Sequence, residues 1–94
     1  MRLLGKDLLG DFKTKYADAR SQVNSWEAEV EDARWTTPYD LKERYPNASI
    51  LGDGQTIFNI CGNKYRILAK INYKNSIVLV KKTGTHQEYN KWNL

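Results

Sequence analysis

The stretch Gly62-Asn63-Lys64-Tyr65-Arg66-Ile67-Leu68-Ala69-Lys70-Ile71-Asn72-Tyr73 alternates almost without a break. Tyr65, Ile67, Ala69, Ile71 and Tyr73 fall on one side of an extended chain, and Lys64, Arg66, Leu68, Lys70 and Asn72 fall on the other. A period of two belongs to a β-strand with one face on a core. Gly62-Asn63 tolerates positive φ at low cost, which predicts a tight hairpin turn joining this strand, over 64–73, to a preceding one over 56–60. Downstream, Lys74-Asn75 reads as a turn into a strand over 76–82. The centre of that strand, Ile77-Val78-Leu79-Val80, is apolar on both faces, as an interior strand requires. Gly84 is read as the end of the sheet. Upstream, a short strand over 49–51 and the turn Gly52-Asp53-Gly54 lead into the hairpin.

Toward the N-terminus the period changes. Residues 2–4 suit a short edge strand. A helix is then predicted over 6–16, with Leu8, Leu9, Phe12 and Tyr16 on one side and Gly10 as a mild weakness. Asp18 reads as the N-cap of a second helix in which Ala19, Val23, Trp26, Val30 and Ala33 form an apolar stripe opposite Glu27, Glu29 and Glu31. Thr37-Pro38-Tyr39-Asp40 is a helix start with proline at the first position, and the short helix it opens stops before Tyr45-Pro46. The expectation is an α+β fold: a helical hairpin packed on a twisted antiparallel sheet, as one domain over residues 1–94.

Composition sets the limits of function. A chain of this length buries roughly 60 to 65% of the surface that its unfolded form exposes, so its core is thin and bulky rings must fill it. No apolar run reaches the roughly 18 residues of a membrane span, and Met1 to Gly10 lacks the pattern of a signal peptide, so the chain is expected in the cytoplasm. One cysteine, Cys61, excludes an internal disulfide. With a single histidine it cannot furnish a tetrahedral zinc site, so no metal is expected. There is no phosphate-cradling glycine loop, GxGxxG or nucleophile elbow, and no nucleotide cofactor is expected. Charge is unevenly spread: up to Arg44, eight Lys/Arg stand against nine Asp/Glu, while from Tyr45 onward seven stand against two. The whole net charge of +4 therefore lies in the second half, which suits a face made for polyanions.

Two constellations carry chemistry. The polar side of the long strand presents Lys64, Arg66 and Lys70, with Asn59 across the hairpin and Lys81-Lys82 on the last strand. Taken alone it is also what any half-buried surface strand displays; as a row of cations on a concave sheet it neutralises successive phosphates. In Thr85-His86-Gln87-Glu88-Tyr89, the Thr85–Glu88 spacing is that of a capping box, which favours a structural Glu88 over a catalytic one. His86 falls at the first helical position, where backbone N–H groups attract phosphate, with Tyr89 on the same side. A lone histidine is more often an ordinary surface residue; the adjacent basic strand is what raises its interest. Cys61 has no partner base and reads as a small apolar residue, and Trp26 and Trp35 read as packing anchors. Trp92 lies too near the end for its role to be read.

The same residues carry a family resemblance from end to end. Met1-Arg2-Leu3-Leu4, Asp18-Ala19 with Trp26, Trp35 followed by Pro38, Asp40, Leu41 and Lys42, Tyr45-Pro46, and Ala48-Ser49-Ile50-Leu51-Gly52 occur in order. Ile57-Phe58-Asn59, Gly62-Asn63-Lys64-Tyr65-Arg66, Ile71-Asn72-Tyr73 and Gly84 to Tyr89 complete the string. So ordered, the sequence resembles the HigB toxins of bacterial type II toxin-antitoxin systems, in the RelE/ParE superfamily. Lys81-Lys82 departs from the more apolar pair expected of relatives. The resemblance implies a RelE-like fold with a short C-terminal helix, cleavage of mRNA often on the ribosome, and neutralisation by a HigA-type helix-turn-helix antitoxin. On that footing Arg66 and Lys64 are expected to stabilise phosphate charge. His86 and Tyr89 transfer protons or position substrate, with acid and base unassigned, and Asn59, Lys70 and Lys91 contact RNA. Two rival readings are a non-catalytic RNA-binding module that blocks translation, and a ParE-like toxin acting on a protein target.

Overall fold

A computed structural model describes residues 1–93. The elements in chain order are β1 (Arg2–Leu4), α1 (Lys6–Lys15), a 3₁₀ turn (Ala17–Ala19), α2 (Arg20–Asp32), α3 (Pro38–Arg44), β2 (Ser49–Gly52), β3 (Gln55–Ile60), β4 (Tyr65–Asn72), β5 (Ile77–Thr85) and α4 (His86–Tyr89). The α+β class therefore holds. The five strands lie in the order β1-β5-β4-β3-β2. All neighbours are antiparallel except β1, which runs parallel to β5 with Leu3 opposite Val78, so the sheet is mixed. Parallel neighbours need a long crossover, and everything from α1 to β4 supplies it. No helix among the described residues is long and apolar enough to cross a membrane.

The apolar stripes do as their spacing predicts. Leu9 and Phe12 of α1, then Val23, Trp26 and Val30 of α2, pack on the sheet face formed by Phe58, Ile60, Tyr65, Ile67, Ala69, Ile71, Val78 and Val80. Rings fill this thin core edge to face. Trp35 meets Tyr45 at 6.0 Å, Tyr45 meets Phe58 at 5.3 Å, and Phe58 meets Trp26 at 5.1 Å. Such pairs add about 0.5–1.5 kcal/mol each beyond area burial. The Tyr45 hydroxyl donates to Glu29, which Arg44 also binds. Tyr45's burial and this carboxylate raise its phenol above the ordinary range, and the same hydrogen bond lowers Glu29. α3 starts as expected, with the Asp40 N–H donating to Thr37 Oγ1 at 3.3 Å.

Three local readings change. Asp18 does not cap α2; it lies in the 3₁₀ turn, and its carboxylate accepts from Lys64 and from the Tyr65 hydroxyl at 2.6 Å. Charge and hydrogen bonding across the fold outcompete the local cap. The β3–β4 connection is a four-residue turn over 61–64 instead of two residues, with Cys61 and Gly62 at positive φ. The Cys61 N–H donates to Gln22 Oε1 at 2.7 Å, so α2 holds the turn open and Lys64 falls outside the strand. Last, β5 runs on through Gly84 to Thr85, because a bulge makes Leu68 face Lys82 while Ala69 faces Val80. The extra residue, Lys81, resets the alternation and carries the strand three residues further.

Candidate active site

The face of the sheet turned away from α1 and α2 holds Arg66, Leu68 and Lys70 of β4, the alternates of its core residues. Ile57, opposite Leu68, shares this face; the two are 1% and 4% exposed, yet lie outside the main core cluster. Beside this apolar island stands Arg66, itself only 7% exposed. Its Nη1 donates to the carbonyls of Asn63 at 2.9 Å and Tyr65 at 3.2 Å, and its Nη2 lies 3.3 Å from His86 Nδ1. The guanidinium also stands 5.3 Å from the centre of the Tyr89 ring. Among the described residues no carboxylate pairs with it, whereas Lys6, Lys13, Arg44 and Lys64 each have one.

An arginine cannot shed its charge in a protein. Burial of such a cation is costly unless it is matched, and three neutral acceptors leave its full charge available to an anion. The same chemistry fixes the histidine. Because Arg66 can only donate, His86 Nδ1 is the acceptor in this contact, so the neutral ring carries its proton on Nε2.

α4 is set by its cap. Thr85 N–H donates to Glu88 Oε1 at 2.9 Å and Glu88 N–H to Thr85 Oγ1 at 3.1 Å, the reciprocal box that the spacing predicts. The Thr85 N–H holds Glu88 below the usual carboxylate range, and Tyr16, just past the end of α1, adds a hydrogen bond. The helix is one turn long. His86 N–H donates to Lys64 O at 3.0 Å and Glu88 N–H to Thr85 Oγ1, so two of the N–H groups expected to attract phosphate are already engaged. What α4 contributes is side chains: the His86 and Tyr89 rings are roughly parallel, 25° apart, with centres at 6.3 Å.

Arg66, His86 and Tyr89 thus come together. Asn59 is opposite Arg66 on β3, half-buried, and lines a cleft of about 280 Å³ with Tyr45, Asn47 and Ala48. Lys70 is exposed on the Arg66 face but four residues along β4, about 13 Å away. Lys91 is exposed just past α4. Lys64 is not brought to the cluster: its ammonium pairs with Asp18, which raises the lysine above its ordinary value and, with the Tyr65 hydroxyl, lowers Asp18. Sequence reading missed Trp92, which meets the Tyr89 ring at 5.6 Å. The signal was the three-residue spacing His86, Tyr89, Trp92.

With this geometry in view, two comparisons bear on the chain. A family model described as HigB_toxin, RelE-like toxic component of a toxin-antitoxin system, matches residues 19–92. The chain is also similar to a curated protein from Escherichia coli O6:H1 (strain CFT073), named mRNA interferase HigB. Identity is 24% over 93 residues, covering 97% of this chain and 90% of that protein.

Proposed function

Since this chain belongs to the HigB toxin family, the RelE-like toxic components of toxin-antitoxin systems, we propose that it is an mRNA interferase that cuts RNA without a metal. The similar protein named mRNA interferase HigB supports the substrate class. The observation that carries the chemistry is Arg66: a buried guanidinium, unmatched by any carboxylate among the described residues, in contact with a histidine and beside a tyrosine.

In the reaction, the 2′-hydroxyl of one nucleotide attacks the adjacent phosphorus as its proton is removed. The bond from phosphorus to the 5′-oxygen breaks, that oxygen takes up a proton, and the products are a 2′,3′-cyclic phosphate and a 5′-hydroxyl. Arg66 binds the nonbridging oxygens, where negative charge accumulates. A phosphate that takes over the Arg66 Nη2 frees His86 Nδ1, so substrate binding and imidazole release are one event. Tyr89 lies beside the guanidinium and completes the proton-transfer or positioning set. Asn59, Lys70 and Lys91 line the RNA path, and Lys64 serves it indirectly by tying the hairpin turn to Asp18.

A toxic component of this kind has an antitoxin partner; we place it with the HigA-type helix-turn-helix proteins. The toxin acts in the cytoplasm on message engaged by ribosomes, as one domain over residues 1–94. Primer extension on mRNA, with and without translating ribosomes, tests the reading. Discrete cuts with 5′-hydroxyl ends are expected; arrest of translation with intact message would replace cleavage by simple RNA binding.

A further inference from the structure

The same sheet face carries a second cation and a second ring that strand cleavage leaves unused. Lys82 holds its Nζ 5.8 Å from the centre of the Trp92 ring, and the Arg66 guanidinium stands 5.3 Å from the Tyr89 ring. The Tyr89 and Trp92 rings touch edge to face, at 85°. One cation-and-ring pair is therefore repeated beside the other. Two features of β5 produce this. The bulge turns Lys82 onto the face of Arg66, as the register partner of Leu68, two residues along β4 from Arg66. Gly84, the register partner of Arg66, has no side chain: a Cβ there would lie 3.2 Å from Trp92 Cζ2 and 3.1 Å from Glu88 Cβ. The indole lies against bare strand backbone.

Neither group is consumed by the fold. Trp26 and Trp35 are 2% and 7% exposed, whereas Trp92 is only half-buried and lies outside the core cluster. Lys82 is exposed and makes no ion pair among the described residues. A single RNA strand presents one phosphate and one flat base per nucleotide, and the surfaces that hold such strands pair cations with aromatic rings.

We infer that Lys82 and Trp92 form a second nucleotide subsite beside the cleavage position, in which the base of a flanking nucleotide stacks on the indole and Lys82 meets its phosphate. The inference rests on the RNA-cleaving reading for its ligand and adds where the neighbouring nucleotide goes. Every base has a π-face, so this subsite supplies register and affinity with little preference among bases.

The test uses the whole protein and a short RNA oligonucleotide made uncleavable by 2′-O-methyl groups, so that binding is read apart from catalysis. The parent's tryptophan fluorescence is expected to be quenched on titration, because Trp92 is the accessible indole. Trp92→Phe keeps a ring and should bind within about threefold of the parent but lose the quench. Trp92→Ala should bind about 10- to 100-fold more weakly, the range of one lost base stack. For Lys82→Gln, the slope of log affinity against log salt should fall by about 0.7, one phosphate contact on a single strand. Quenching that survives in Trp92→Phe, or Trp92→Ala binding as tightly as the parent, overturns the subsite. The nuclease reading fails on a separate measurement, the absence of cut products from cleavable RNA with the parent protein.

Discussion

The two faces of the sheet treat charge in opposite ways. On the face covered by α1 and α2, polar groups at the margin are matched: Lys13 to Glu27, Arg44 and Tyr45 to Glu29, Lys64 and Tyr65 to Asp18. On the open face, Arg66 is buried against carbonyls and an imidazole, and Lys82 lies near an indole; neither has a carboxylate partner among the described residues. Arg66 and Lys64 are two residues apart, yet one is held by an acid and the other is left for one. A cation already neutralised in the fold supports structure; a cation kept without a counterion is available to an incoming anion.

The contrast can be broken most forcefully at His86. His86→Ala should lower cleavage by about 10² to 10⁴-fold, the usual contribution of a general acid or base, with the fold retained and no more than about 1–3 kcal/mol lost in urea unfolding, because the residue is exposed but the buried Arg66 loses one of its three acceptors. Parental cleavage by this variant would remove the imidazole from the mechanism. Arg66→Ala should cost about 10² to 10³-fold in rate. Lys64→Ala, on the matched side, should cost less than tenfold, so a larger loss for Lys64 than for Arg66 in the same assay would reverse the comparison. On the covered face, Trp26→Ala removes a nearly fully buried ring from the edge-to-face chain. About 3–5 kcal/mol of stability should disappear, measured by chemical denaturation.

The smallest effect concerns acid. The hydrogen bonds from Lys64 and Tyr65 depress Asp18 below its unfolded value. Its contribution is therefore present above the unfolded carboxylate value and lost as pH falls through the lower, folded one. Since the pair is exposed, the change should be slight. It should appear as lower protection of the amides in the turn over 61–64, after correction for the intrinsic exchange rate, below about pH 4, and Asp18→Asn should abolish that pH dependence. An unchanged pH response in Asp18→Asn would show that another carboxylate governs the turn.

Much of the fold was legible because it is periodic. The alternation of β4, the stripe of α2 and the Thr37-Pro38 and Thr85–Glu88 starts each depend on neighbours in sequence, and each element appears within a residue or two of its expected place. The site was legible in part. Arg66, His86 and Tyr89 could be picked out as residue types, but the burial of Arg66 and its bond to Nδ1 follow from the pairing of β4 with β5. The parallel docking of β1, the capture of Lys64 by Asp18 and the bulge at Lys81 were not legible, since each joins residues far apart or depends on strand register. Gly84 misled as a strand terminator because its lack of a side chain makes room for the Trp92 ring and the Glu88 side chain, not for a turn.

By itself, the sequence determined the α+β class, the covered face, the caps of α3 and α4 and the basic second half, because periodicity, capping and composition act over a few bonds. Tertiary structure alone decided which cation stays unmatched and which rings stand beside it, because charge neutralisation and stacking are settled by whichever groups the completed sheet brings within a few ångströms.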